Sequence, residues 1–369
     1  MKKKRSRLLF LLLQLIIICF LVESILSIAY YQKYGSYSLA TIQFAKKLGK
    51  KVQDEPPSSF SEKNQQLVRP NASENDNRKL VQETMESNRF VYEPWLQFRN
   101  MDYTGKFVNV QHLLRRSNPD HYYPPNAKDT LDIYFLGGST LFGFNVADGE
   151  TIPSQFLQLY KGDKAIRVYN LGVPYYYSYQ ELMQLSNLLY TGSRPDIVIQ
   201  LDGLNDFWFI QSAFYRRPHF TYIVQEVFNM DPETGKFHFK DTFDRMTKDP
   251  VNVPAEIVNR QAIDHYFENI GNTKLVANDF NCRTFFFCQP VPFYNYPNQQ
   301  NDPVCDKDRN TRFDKIYPEV EARGKGVEGF YFLGNMLQQE KQYPFVDGFH
   351  YSPYMNRKIA AEILGKVNL

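Results

Sequence analysis

The chain is 369 residues long, enough for one large α/β domain with appendages or for two domains. Hydrophobic residues make up 43% and aromatic residues 16%, ample for a buried core. Of the 43 basic residues five stand in the first seven, leaving 38 against 40 acidic; the body is near neutral, which argues against a nucleic-acid-binding face.

In chain order, Lys2, Lys3, Lys4, Arg5 and Arg7 precede a mostly apolar run from Leu8 to Tyr31. About 20 helical residues suffice to cross a bilayer. The basic cluster would stay cytoplasmic and the body would lie outside. A cleaved signal peptide is the rival, with Ser27-Ile28-Ala29 as a cleavage site. The uncleaved anchor is favoured because apolar character resumes at Ile25, Leu26 and Ile28 beyond Glu23. Either way the body is exported; the anchor makes it a single-pass protein of the cell membrane, N-terminus cytoplasmic and the rest periplasmic or otherwise extracytoplasmic.

Residues 1–31 are thus read as basic tip and transmembrane anchor, and 32–89 as a juxtamembrane helix (near 40–52) and a Pro/Ser/Asn-rich linker (53–77). Asn71-Ala72-Ser73 is a glycosylation sequon. Residues 90–130 have aromatics without clear period and read as an irregular N-terminal flap. Four cysteines include no CxxC pair, so a zinc or redox site has no support, although Cys282, Cys288 and Cys305 stand where a disulfide is permitted. The six histidines lack metal-ligand spacing, and no cofactor is expected.

From Leu131 strands and helices alternate. Strands are expected at 131–136, 165–170, 196–201, 284–288 and 329–332. Helices are expected near 150–161, 179–190, 254–277, 311–323 and 353–367. An aromatic insertion occupies about 207–250. This order predicts an α/β domain over 131–369, a mostly parallel sheet covered by helices on both faces.

The first strand ends at Gly137-Gly138-Ser139-Thr140. A dinucleotide-binding GxGxxG would need glycine at Thr140, a phosphate loop would need lysine at Phe144, and a nucleophile elbow would need glycine at Leu141. Taken alone, Ser139 reads as the capping residue of an ordinary β–α turn; the functional reading is a nucleophile assembled from separated blocks. A serine hydroxyl needs a base. Near the C-terminus Asp347 precedes His350 by three residues, so the carboxylate can hold one imidazole nitrogen while the other faces the serine. An oxyanion needs donors. Gly172 follows the second strand and Asn205 the third; taken singly, each is as well explained by turn chemistry.

These four blocks, Gly137-Gly138-Ser139-Thr140, Gly172, Gly203-Leu204-Asn205-Asp206 and Asp347-Gly348-Phe349-His350, resemble in order those of the SGNH (GDSL-like) hydrolases. The N-terminal anchor and the segment Tyr92-Glu-Pro-Trp-Leu-Gln-Phe-Arg99 resemble that family's membrane-anchored bacterial branch. The resemblance implies a three-layer α/β/α, flavodoxin-like fold. It implies Ser139 as nucleophile, His350 as base and Asp347 as its orienter. The oxyanion hole would be the Ser139 and Gly172 N–H groups with the Asn205 amide. The first block departs from Gly-Asp-Ser, and Tyr175 stands where the branch often has glycine. The Tyr175-Tyr176-Tyr177 run either narrows the cleft, stacks on carbohydrate or packs the loop.

The expected activity is a serine esterase removing a short, acetyl-like acyl group from an exported glycan. An O-acyltransferase with an integral-membrane acyl-donor partner would use the same triad. A non-catalytic glycan-binding scaffold is the reading from another class.

Overall fold

The computed structural model describes residues 64–93, 95–117, 130–208, 254–305 and 312–369, together with Gln14 and Val22. The chain divides into two units, Met1–Ser59 and Phe60–Leu369. In the first, Gln14 and Val22 are helical and exposed. Among the described residues no helix is long and apolar enough to cross a membrane. The rest of the expected anchor, the expected juxtamembrane helix and all of the expected insertion (about 207–250) beyond Trp208 lie outside the described residues; Phe207 and Trp208 themselves are helical.

The second unit begins earlier than the expected linker allows. Residues 64–68 are helical, and α1 (Glu74–Ser87) starts within the stretch read as linker. The reason is local and tertiary together. Ser73 Oγ accepts from the Asp76 N–H at 3.1 Å, capping the helix, and the fully buried Gln65 donates to the Asn145 carbonyl at 2.6 Å. The serine of the sequon is therefore a helix cap.

The expected irregular flap is also corrected. β1 (Phe90–Glu93) and β2 (Gln97–Asn100) form an antiparallel hairpin, and β3 (Tyr103–Thr104), β4 (Asn109–Gln111) and β5 (Leu114–Arg115) form antiparallel strands of the main sheet. Strands this short carry too few residues for an alternating pattern to register.

The body alternates as expected: β6 (Leu131–Gly137), α2 (Ser139–Phe142), α3 (Ile152–Leu159), β7 (Ile166–Asn170), α4 (Ser178–Tyr190), β8 (Ile197–Asp202), α5 (Leu204–Trp208), α6 (Ala255–Asp279), β9 (Arg283–Cys288), α7 (Arg312–Gly324), β10 (Phe330–Phe332) and α8 (Pro353–Lys366). The sheet order is β10-β9-β8-β6-β7-β5-β4-β3, and β10, β9, β8, β6 and β7 are parallel. Counted among the parallel strands, the order is 2-1-3-4-5, a doubly wound sheet whose direction of growth reverses between β6 and β8.

Side-chain alternation builds the two faces. Ile133, Phe135, Val168, Ile197, Ile199 and Leu201 pack with Phe156 of α3 and Met355, Ile359 and Ile363 of α8. On the other face Leu136 and Val198 meet Leu185 and Leu189 of α4, while α6 and α7 cover β9 through Phe286 and Cys288. Cys282, Cys288 and Cys305 are buried thiols, and none of the three is in a disulfide.

The N-terminal strands are fastened by a buried ion pair. Arg115 Nε lies 2.8 Å from Asp148 Oδ1, with both side chains out of solvent, and Arg115 also donates to the Val146 carbonyl at 2.9 Å. The Asn109 N–H and amide donate to Asp148 at 3.0 and 2.7 Å. The guanidinium sits over the Phe142 ring, 4.8 Å from its centroid. Burial pushes both groups toward their neutral forms and their attraction opposes it. Removing one partner strands the other. Arg115→Ala is expected to lower unfolding free energy by about 3–5 kcal/mol, read as a reduced denaturant midpoint. A loss below about 1 kcal/mol would show that the pair does not hold these strands to the body.

Candidate active site

Three features of the chain end at one edge of the sheet. β6 delivers Gly137, β7 delivers Asn170 and β8 delivers Asp202, each followed by a tight turn. Parallel pairing of Gly137 with Leu201 and of Phe135 with Asn170 levels these ends. In an open α/β sheet ligands bind at the carboxyl edge where the strand order reverses, here between β6 and β8.

The glycine pair after β6 is required by crowding. A Cβ on Gly137 would lie 2.7 Å from the Leu201 carbonyl oxygen, and one on Gly138 would lie 2.7 Å from Asn205 Nδ2 and 2.9 Å from the Tyr176 carbonyl oxygen. Ser139 is the first residue of α2, so its N–H projects from the helix start.

The structure brings Ser139, His350 and Asp347 together. His350 Nε2 is 2.8 Å from Ser139 Oγ. His350 Nδ1 is 2.9 Å from both Asp347 oxygens. Asp347 Oδ1 also accepts from the Phe349 and His350 N–H groups at 3.2 and 2.9 Å. The imidazole lies between two rings, stacked on Phe144 with centroids 4.7 Å apart and tilted against Phe349 at 4.6 Å. This fixes its plane and leaves its two nitrogens facing the serine and the carboxylate.

Burial alone would raise the Asp347 pKa. The facing imidazole, its N–H, the backbone N–H of His350 and the Asn145 amide together outweigh burial and hold the carboxyl below its usual 3.8. Asn145 Nδ2 donates to Asp347 Oδ2 at 2.6 Å. Asn145 adopts a left-handed backbone, φ +63°, which asparagine tolerates better than most residues. Nothing in the spacing joins it to a residue 202 positions away, so sequence reasoning missed it.

The oxyanion donors divide. Asn205 lies at the pocket, and its Nδ2 donates to the Tyr176 carbonyl at 2.7 Å, which fixes the amide and leaves a second N–H for a ligand. The Ser139 N–H is the other donor at this point. Gly172 is the correction: its N–H donates to Asn170 Oδ1 at 3.0 Å, and it does not line the pocket. Asn170 makes a turn bond to its own backbone two residues on, while its amide donates to the Leu141 carbonyl at 3.1 Å. Glycine is needed at 172 because a Cβ would lie 2.5 Å from the Phe142 nitrogen. Its part is to let α2, which carries Ser139, pack against the end of β7.

Asp206, within the quoted Gly-Leu-Asn-Asp block, braces the turn that carries Asn205. Its carboxylate accepts from the Gly203 N–H at 3.2 Å and from the Ser178 N–H and hydroxyl at 3.2 and 2.5 Å. Beneath it Glu181 and Asp202 are buried side by side. Burial, reinforced by the neighbouring carboxylate charges, pushes both pKa values well up from the ordinary carboxylate value. The Tyr266 hydroxyl donates to Asp202 at 2.6 Å.

Ser139, Asn205 and His350 open onto a pocket of about 220 Å³. Of the tyrosine run, Tyr175 lines it, whereas Tyr176 and Tyr177 are buried in the loop. Among the described residues no group of His, Cys, Asp or Glu could hold a metal ion.

No family model matches the sequence, and no curated protein matches it. Among solved structures, the chain is similar to a member of the lipolytic protein G-D-S-L family from Veillonella parvula (10% identity, 64% of this chain and 97% of that one, TM-score 0.38). It is similar to a carbohydrate acetylesterase family member from Sinorhizobium meliloti (11% identity, 64% and 96%, TM-score 0.37). It is also similar to an acetyl-xylooligosaccharide esterase from Geobacillus (16% identity, 65% and 94%, TM-score 0.37).

Asn145→Gly keeps the left-handed backbone and deletes the amide that faces Asp347. A lost hydrogen bond to a charged group costs about 1.5–3 kcal/mol, so turnover is expected to fall by about ten- to a hundredfold. The pH dependence has a definite sign. The lowered Asp347 pKa adds stability that is present above 3.8 and lost as pH falls through the lowered value. The stability gap between wild type and Asn145→Gly should therefore be full at neutral pH and shrink in acid. Chemical unfolding at several pH values reads it, and a gap independent of pH would refute the assignment.

Proposed function

We propose that this chain is a serine esterase of SGNH type that cleaves a neutral ester through an acyl-enzyme. The observation that carries the proposal is the unbroken line Ser139 Oγ, His350 Nε2, His350 Nδ1, Asp347, with contacts of 2.8 and 2.9 Å, at the floor of an open pocket.

The chemistry follows from these atoms. As Ser139 Oγ bonds to the ester carbonyl carbon, its proton passes to His350 Nε2 and the carbonyl electron pair moves onto oxygen. The Ser139 N–H and the free N–H of the Asn205 amide meet that oxyanion. Asp347 stabilises the imidazolium without taking its proton. The carbonyl re-forms, the alcohol leaves with the proton from Nε2, and an acyl group remains on Oγ. Water, deprotonated by the same imidazole, then releases the acid and restores the serine.

The alcohol is read as a glycan hydroxyl and the protein as tethered outside the cytoplasm. What supports the tether is the basic cluster ahead of the apolar run 8–31. What supports a neutral substrate is that, among the described residues, no Lys, Arg, Asp or Glu lines the pocket.

The test is hydrolysis of simple esters and labelling by a fluorophosphonate, using the full chain. Ser139→Ala and His350→Ala are each expected to lower kcat at least about 10³-fold and to abolish labelling. Asn205→Ala should cost about 10²–10³ in kcat while labelling of Ser139 persists slowly. Undiminished turnover in Ser139→Ala would refute the proposal.

A further inference from the structure

The wall of the pocket is a different kind of surface from its floor. Beyond Ser139, Asn205 and His350 it is made by Phe144, Pro174, Tyr175, Leu204, Trp208 and Phe349. Trp208 is itself propped by Phe293 and Phe349, at 4.9 and 5.9 Å between ring centroids. Among the described residues, the side-chain polar groups of the wall are the Tyr175 hydroxyl and the Trp208 indole N–H. A sugar ring buried here would leave most of its hydroxyls without partners, a loss of about tenfold or more in binding for each. Hydrocarbon suffers no such loss.

Size points the same way. A dry apolar cavity of about 150 Å³ takes a benzene ring. A pocket of about 220 Å³ is more than the methyl of an acetyl group fills.

The backbone singles out one wall residue. The Tyr176 N–H donates to the Val173 carbonyl at 3.1 Å, closing a turn with Pro174 second and Tyr175 third. Tyr175 has φ +73°. These are the features of a type II turn, whose third position favours glycine. A tyrosine held there carries strain that glycine would relieve, and such strain gathers at functional sites. Its ring meets the Phe90 ring of the β1–β2 hairpin edge-on, with centroids 5.9 Å apart, so it is fixed as a wall and not swung into solvent.

We infer that this pocket receives the acyl side of the ester, a neutral apolar chain of about four to six carbons in place of acetyl, with Tyr175 and Trp208 as the residues that select it. The glycan or other alcohol then lies outside the aromatic wall, at the open mouth. The inference rests on the serine-esterase proposal and narrows its substrate class.

The experiment measures kcat/KM of the full chain for p-nitrophenyl acetate, butyrate and hexanoate, each below its solubility limit. The leaving group is constant, so the acyl chain alone varies. The hexanoate-to-acetate ratio is expected to exceed ten, because each buried methylene adds to transition-state binding. Tyr175→Gly, which suits the backbone, and Trp208→Leu, which keeps the helix, should each lower that ratio at least fivefold. Reactivity of Ser139 toward a small fluorophosphonate reports that each variant is folded. A wild-type preference for acetate overturns the inference, as does a ratio unchanged in both variants. Absence of any Ser139-dependent turnover refutes instead the esterase proposal beneath it.

Discussion

Everything at the candidate site depends on the parallel register of β6, β7 and β8. Parallel pairing sets neighbouring strands side by side in one direction, so their carboxyl ends share one edge. The turns after those ends carry Ser139, Gly172 and Asn205. Because growth of the sheet reverses between β6 and β8, the connections leave on opposite faces and a crevice opens between the first and third of these turns. A slip of one residue in β8 would turn its core side chains to the opposite face and displace Asn205 from the serine. The backbone hydrogen bonds of the sheet thus set the distance between nucleophile and oxyanion donor.

Crowding at that edge explains the small residues better than flexibility does. Gly137 clears the Leu201 carbonyl, Gly138 clears Asn205, and Gly172 clears α2. Each permits an approach that a methyl group would block. The polar groups behind them act as braces. Asp206 ties the Asn205 turn to the start of α4, Asn170 ties the end of β7 to α2, and Arg115 lies under Phe142 while pairing with Asp148. In a buried setting each such bond is costly to leave unmade, so together they restrict the site to one arrangement.

The two ends of the triad are held by different physics. The carboxylate end is electrostatic: Asp347 is partly buried, and four donors, one of them from Asn145, hold its pKa below the usual value against the cost of burial. Asn145 in turn is tied through its carbonyl to Gln65 in the segment ahead of α1, which couples the N-terminal region to the orientation of the base. The imidazole is held by stacking on Phe144 and by the tilted ring of Phe349, both of which line the pocket. The same aromatic side chains therefore orient the base and shape the space in which an acyl group would sit.

The sequence alone determined the elements with strong local pattern. The apolar run of β6 ending in Gly137-Gly138, the helix–strand alternation from 131 to 366 and the Asp347–His350 spacing are written in neighbouring residues, where periodicity and chain geometry decide the outcome. Only the tertiary structure decided the rest. β1 to β5 are too short for a period; β1 and β2 become strands by pairing with each other, and β3 to β5 by joining the main sheet, where the Arg115–Asp148 pair holds β5. Gly172 looked like a donor, but whether an N–H faces a pocket or the side chain of Asn170 depends on how the turn packs. Asn145 meets Asp347, and Tyr175 takes a backbone suited to glycine, for the same reason: contacts between distant residues are fixed by sheet register and burial, which no local stretch of sequence contains.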